Sequence, residues 1–146
     1  MKIMTCFLDA TAWIAISDAK NANHKAACDY FSLMLEENTK LVTNNVVIDQ
    51  TLGFLKKKHG AEKSRQFLNI IDESVLTINL RMDWISRRVR RNAINQYLKS
   101  ADANLELSHF VINESVKRKR VDIIFSFDPA LRRFGLPLMP QTVTAV

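Results

Sequence analysis

Cysteine, glycine and proline are scarce in this chain of 146 residues, with two, three and three copies respectively. Cys6 lies in an apolar run of strand type and Cys28 in a helical stretch, with no metal-ligand spacing, so both read as reduced packing thiols rather than a disulfide. With no linker, repeat or low-complexity segment, residues 1–146 are expected to form one domain with room for a full core. No apolar run approaches the ~20 residues a membrane span needs, and the charged residues after Ile16 cut short the one leader-like segment. The expected location is therefore cytoplasmic, with no membrane partner.

What the chain does have is an ordinary globular balance, 47% hydrophobic and 25% charged, with a net charge of +6. A basic total favours an anionic partner without identifying it. The cations cluster at Lys56–Lys58, Arg87 to Arg91, Lys117 to Arg120, and Arg132–Arg133. Helix ends also attract cations through the dipole, so solvated helix termini are the plainer explanation of any single cluster.

The first strand and turn organise the rest. Thr5 to Leu8 is a short apolar run ending at Asp9, and a helical pattern begins directly after Thr11. An acid at a strand exit is a candidate for chemistry, because ligands of open α/β sheets bind outside the carboxyl ends of the strands. Asp9 or Thr11 can equally serve as an N-cap.

Further along, Asn23 is expected to cap a helix over 24–35, and Thr39 to Thr43 to form a second strand. Helices are expected over 46–58, stopping at His59-Gly60, and over 61–72. Ser74 to Leu80 alternates like a third strand. Met82, Ile85, Val89, Ala93 and Tyr97 then recur at helical steps, with Asp83 in the first turn and Arg87, Arg88 and Arg91 on the other face. After a polar break at 100–104 comes a helix over about 105–119, apolar on several sides, followed by a buried-type strand, Val121 to Phe127, that ends at Asp128. Gly135 to Pro140 has room for one more short strand.

Strands alternating with helices give an α/β fold, here a central parallel sheet of about four or five strands flanked by helices. All strand exits of such a sheet share an edge, so Asp9 and Asp128 can converge. Two carboxylates alone are a sparse ligand set for a hydrolytic Mg²⁺ or Mn²⁺ centre.

Phe-Leu-Asp9-Ala-Thr11-Ala-Trp-Ile-Ala, Thr43-Asn-Asn-Val-Val-Ile-Asp49-Gln50-Thr-Leu and Ile-Ile-Phe-Ser-Phe-Asp128 together resemble the motifs of PIN-domain proteins, which include VapC-type toxin ribonucleases. The likeness covers nearly the whole chain in the right order. It implies a compact α/β sandwich whose acids gather around one or two divalent metals that activate water against an RNA phosphodiester. Asp9, Thr11 and Asp128 match the family positions. Gln50 stands where the family has Glu, and His109 where it has Asp, nineteen residues before the last acid.

The catalytic set implied by the resemblance is thus Asp9, Thr11, Gln50, His109 and Asp128, with Asp9 and Asp128 as metal ligands. Mg²⁺ or Mn²⁺ would be held less firmly, since a neutral amide and an imidazole replace hard anionic oxygens. Imidazole suits Zn²⁺, Co²⁺ or Ni²⁺ better, and His109 is also a candidate general base. Glu106 and Asp102 are weak substitutes for the missing acids. Arg87, Arg88, Arg91, Lys117, Arg118 and Arg120 are candidates for RNA phosphates. Three functions remain open: a metal-dependent nuclease of single-stranded RNA, such as the toxin of a toxin–antitoxin pair; a catalytically inactive PIN-like domain that binds RNA or protein; and an interaction domain whose basic residues serve only solubility. An antitoxin and a second copy of the chain are possible partners, the latter through the Trp84 or Phe31 helix.

Overall fold

The computed structural model describes residues 3–141. Strand β1, Thr5–Leu8, is buried over its last three residues, as a central strand covered on both faces must be. Helix α1, Ala10–Ser17, follows after the single residue Asp9, and α2, His24–Glu36, packs against it. Next come β2, Lys40–Asn44, and the helices α3, Asn45–His59, and α4, Ala61–Thr77. One residue, Gly60, joins these two helices at φ +94°, a backbone angle that favours glycine.

Strand β3, Leu80–Asp83, leads to α5, Arg87–Lys99, and α6, Leu107–Arg118. Strand β4, Ile123–Phe125, a 3₁₀ turn over Pro129–Phe134, and β5, Leu138–Met139, complete the chain. The sheet is wholly parallel with order β3-β2-β1-β4-β5. The chain therefore steps outward from β1 to β3 and then returns to the other side of β1 with β4. The strand order reverses between β1 and β4, and that switch point is where an open sheet forms a crevice at its strand exits.

Apolar burial holds the layers together. Phe7, Leu41, Leu55, Ile124 and Phe125 are fully buried, each contributing about 1.5 to 3 kcal/mol of transfer free energy. Trp13 of α1 packs edge-on against Phe31 and Phe67, at centroid distances of 6.0 and 5.9 Å. Its indole N–H, which burial would otherwise leave unpaired, donates to Thr43 Oγ1 at 3.1 Å.

Two expectations about the middle of the chain are overturned. Residues 74–77 are the last turn of α4, not a strand: Ser74 and Thr77 return their hydroxyls to the Ile70 and Glu73 carbonyls. Their apolar neighbours Val75 and Leu76 are exposed, so the apparent alternation marks no buried face. Met82 and Asp83 belong to β3 and not to the following helix, whose cap is Ser86, accepting from the Val89 N–H at 3.2 Å. Other boundaries move by a few residues, mostly at helix ends, where the last turns extend or fray.

Candidate functional site

At the switch point the first residue past β1 and the third past β4 come together. Asp9 is the N-cap of α1, its Oδ1 accepting the Ala12 N–H at 3.0 Å, and it is also the centre of a polar cluster. The two roles proposed for it are therefore compatible. Thr11 donates its hydroxyl to Oδ1 at 2.6 Å, and Ser126 donates to Oδ2 at 2.6 Å. The Ser126 oxygen in turn accepts the Asp128 N–H at 2.9 Å, while Thr11 Oγ1 accepts the N–H of Phe127 at 2.9 Å. One serine thus links the two aspartates. Asp9 is buried at 3% exposure with no cation against it, and burial pushes its pKa above the ordinary 3.8. Its hydroxyl and amide donors oppose that rise without cancelling it, and the nearby Asp128 charge adds to it.

Asp128 caps the 3₁₀ turn, with Oδ1 accepting the Ala130 N–H at 3.0 Å. Its other oxygen, Oδ2, lies 2.7 Å from His109 Nε2. His109, buried in the first turn of α6, accepts the Glu106 N–H at Nδ1, 2.8 Å away. A ring nitrogen that accepts carries no proton, so the neutral ring holds its hydrogen on Nε2 and donates it to Asp128. Neither nitrogen then offers a lone pair to an ion or to a proton in transfer.

Gln50 is exposed on α3, and no hydrogen bond ties it to this cluster. Asp49 beside it is exposed too. Glu106 caps α6, and Asp102 pairs with Arg133 at 2.6 Å. Glu114 is buried, its Oε2 accepting from the Gln96 amide at 3.3 Å. None of these acids completes a ligand shell. Among the described residues, no group of three or more His, Cys, Asp and Glu side chains is placed to hold a metal ion. With one Asp128 oxygen engaged by His109 and both Asp9 oxygens by hydroxyls, the pair presents few free oxygens to a hard divalent ion, which would draw most of its shell from water and substrate.

Of the basic candidates, Arg87, Arg88 and Arg91 are exposed on the early turns of α5, which begins at the sheet edge that also carries Asp9 and Asp128. Arg118 instead forks onto Asp83, both N–O distances being 2.9 Å. Lys117 and Arg120 are exposed near the turn into β4, where the Asp122 N–H bonds the Thr5 carbonyl at the strand-start edge. Two features escaped the sequence reading. Ser126 stands buried just past β4, in a run of apolar residues where a lone serine two residues before an acid was the available signal. The Asp83–Arg118 pair spans 35 positions and had none.

No protein-family model matches the chain. No curated protein matches it significantly in sequence either. Solved structures do share its fold. Mycobacterium tuberculosis VapC20, described as a Sarcin-Ricin loop cleaving toxin, superposes with a TM-score of 0.78 at 16% identity over 90% of this chain and 95% of that one. VapBC2 from Rickettsia felis, solved with a DNA fragment from its promoter, gives 0.67 at 12% identity, covering 92% and 97%. PAE2754 from Pyrobaculum aerophilum gives 0.58 at 13% identity, covering 92% and 89%. The fold is thus PIN-like. No helix among the described residues is long and apolar enough to cross a membrane.

Proposed function

We propose that this chain is a PIN-type protein of toxin–antitoxin ancestry that engages single-stranded RNA without metal-dependent hydrolysis. The observation that carries the reading is the His109–Asp128 bond of 2.7 Å, made by a ring whose other nitrogen is already taken. That bond turns an N–H onto Asp128 Oδ2 at the position where the family resemblance would put another carboxylate. The fold shared with VapC20, the exposed arginines of α5 and the net charge of +6 support the RNA side of the reading. The VapBC2 complex is the precedent for a small antitoxin partner, and a homodimer is the alternative assembly.

A second reading, an active ribonuclease using Mg²⁺ or Mn²⁺, is favoured by one feature: Ser126 still brings Asp9 and Asp128 together. Calorimetry with Mn²⁺, paired with cleavage of single-stranded RNA, separates the two. The native chain is expected to show neither ion binding nor cleavage, and the Gln50→Glu, His109→Asp double variant to gain Mn²⁺ binding. Tight Mn²⁺ binding by the native chain, or cleavage that Asp9→Asn abolishes, would overturn the non-hydrolytic reading.

A further inference from the structure

Away from the aspartate cluster, a groove with a volume of about 740 Å³ runs along the edge strand β3. Lys40 of β2, Arg81 of β3 and Lys119, at the end of α6, line it. Lys40 and Val42 are two residues apart on β2, and Arg81 is paired with Val42, so these side chains share one face of the sheet. No Asp or Glu is among the described lining residues. Of the carboxylates on the flanking segments, Asp83 bonds Arg118 and Asp122 accepts the Thr5 N–H.

Trp84 lies at the strand-exit end of the groove, and its side chain has no core role to explain it. It is 71% exposed, against 42% for Phe54 and 40% for Tyr97, whereas the other tryptophan, Trp13, is 3% exposed. Val42, on the same sheet face as Lys40 and Arg81, and Ile78 add apolar surface to the groove lining. A cationic groove with no acid among its described lining residues, and with an open indole on its rim, matches what a single strand of nucleic acid presents: regularly spaced phosphates and flat bases. Three and four residues past Trp84, the exposed Arg87 and Arg88 add further cations at the start of α5.

We infer that the β3-edge groove binds single-stranded nucleic acid, with Lys40, Arg81 and Lys119 on phosphates and Trp84 stacked on a base. This rests on the RNA-binding reading and gives it a surface distinct from the aspartate cluster. Because Trp13 is sealed in the core, quenching of the solvent-exposed tryptophan emission reports Trp84 directly.

The test titrates the full chain with a labelled oligouridylate of about ten nucleotides, at low and moderate salt, following anisotropy and tryptophan emission. Trp84→Ala is expected to weaken binding about tenfold or more, with Trp84→Phe restoring most of it. The triple variant Lys40→Gln, Arg81→Gln, Lys119→Gln is expected to flatten the log–log salt slope by about 2, three lost phosphate contacts on a single strand. All four changed positions are exposed, and urea unfolding checks that each variant folds. Tight native binding that neither variant weakens would place the nucleic acid elsewhere, overturning the groove but not the RNA reading. No native binding even at low salt removes both. Quenching by an oligoglutamate peptide but not by the oligonucleotide would make the groove a peptide-binding edge and overturn the assignment.

Discussion

Asp9 and Asp83 both end strands of one sheet and both are almost wholly buried, at 3% and 2% exposure, yet they are held in opposite ways. Asp83 receives a two-pronged guanidinium from Arg118 and a hydroxyl from Ser115 at 2.6 Å, which in turn accepts from the Asn44 amide at 3.1 Å. Asp9 receives only neutral donors. A buried charge met by a cation is a structural fixture, whereas one left to hydroxyls sits in a raised-pKa environment of the kind that gathers at functional clefts. A third acid, Asp18, sharpens the contrast. It is covered by surface residues, with Lys58 at 3.0 Å and His59 at 3.2 Å, and its pKa is held below the ordinary value, first by the Lys58 hydrogen bond.

The contrast is broken most forcefully at Arg118. Removing it by Arg118→Ala strands Asp83 in the interior and is expected to cost about 3 kcal/mol, read as a lower urea midpoint; the pair's partly wet outer side keeps the loss at the low end of the buried range. An unchanged midpoint would mean that Asp83 tolerates burial as Asp9 does.

The opposite sign is expected at Asp9. Its folded pKa is raised, so its contribution is most favourable below the unfolded value of 3.8 and is lost as pH rises through the folded value. Asp9→Asn should therefore stabilise the fold near neutral pH by about 1 kcal/mol and lose that advantage in acid below pH ~4. Paired urea titrations at the two pH values check it, and equal stability at both pH values would remove the difference between the two aspartates.

Asp18 should give the smallest effect, again with reversed sign. Its folded pKa is lowered, so its stabilisation is present above the unfolded 3.8 and fades as pH falls below it. Asp18→Asn is expected to lower the midpoint slightly at neutral pH and not at all in strong acid. Screening by water around the half-exposed Lys58 limits the gain, so added salt should shrink the difference further.

The acids at the strand exits also measure how far the sequence could be read. Asp9 and Asp128 were legible because each closes an apolar strand, and a parallel sheet sends all strand exits to one edge. His109 was singled out by the family resemblance alone, and its tautomer depends on the Glu106 amide, which only the folded turn supplies. Asp83 was misplaced because Met82 and Asp83 fit a helical rhythm as well as a strand. Deciding between them required the β2 partner and Arg118, contacts 39 and 35 positions away. Ser74 to Thr77 misled for the opposite reason: β-branched residues on an exposed helix end imitate strand alternation without any burial behind it.

The single residue at position 60 has a mechanical consequence. With only Gly60 between them, α3 and α4 have no slack, so any tilt of one drags the other along its whole length. The base of α3 carries Asn44 and Asn45, whose side chains fasten the Val47 and Ile85 amides. A tilt imposed on α3 at its Gly60 end would thus reach the mouth of the strand exits at its other end.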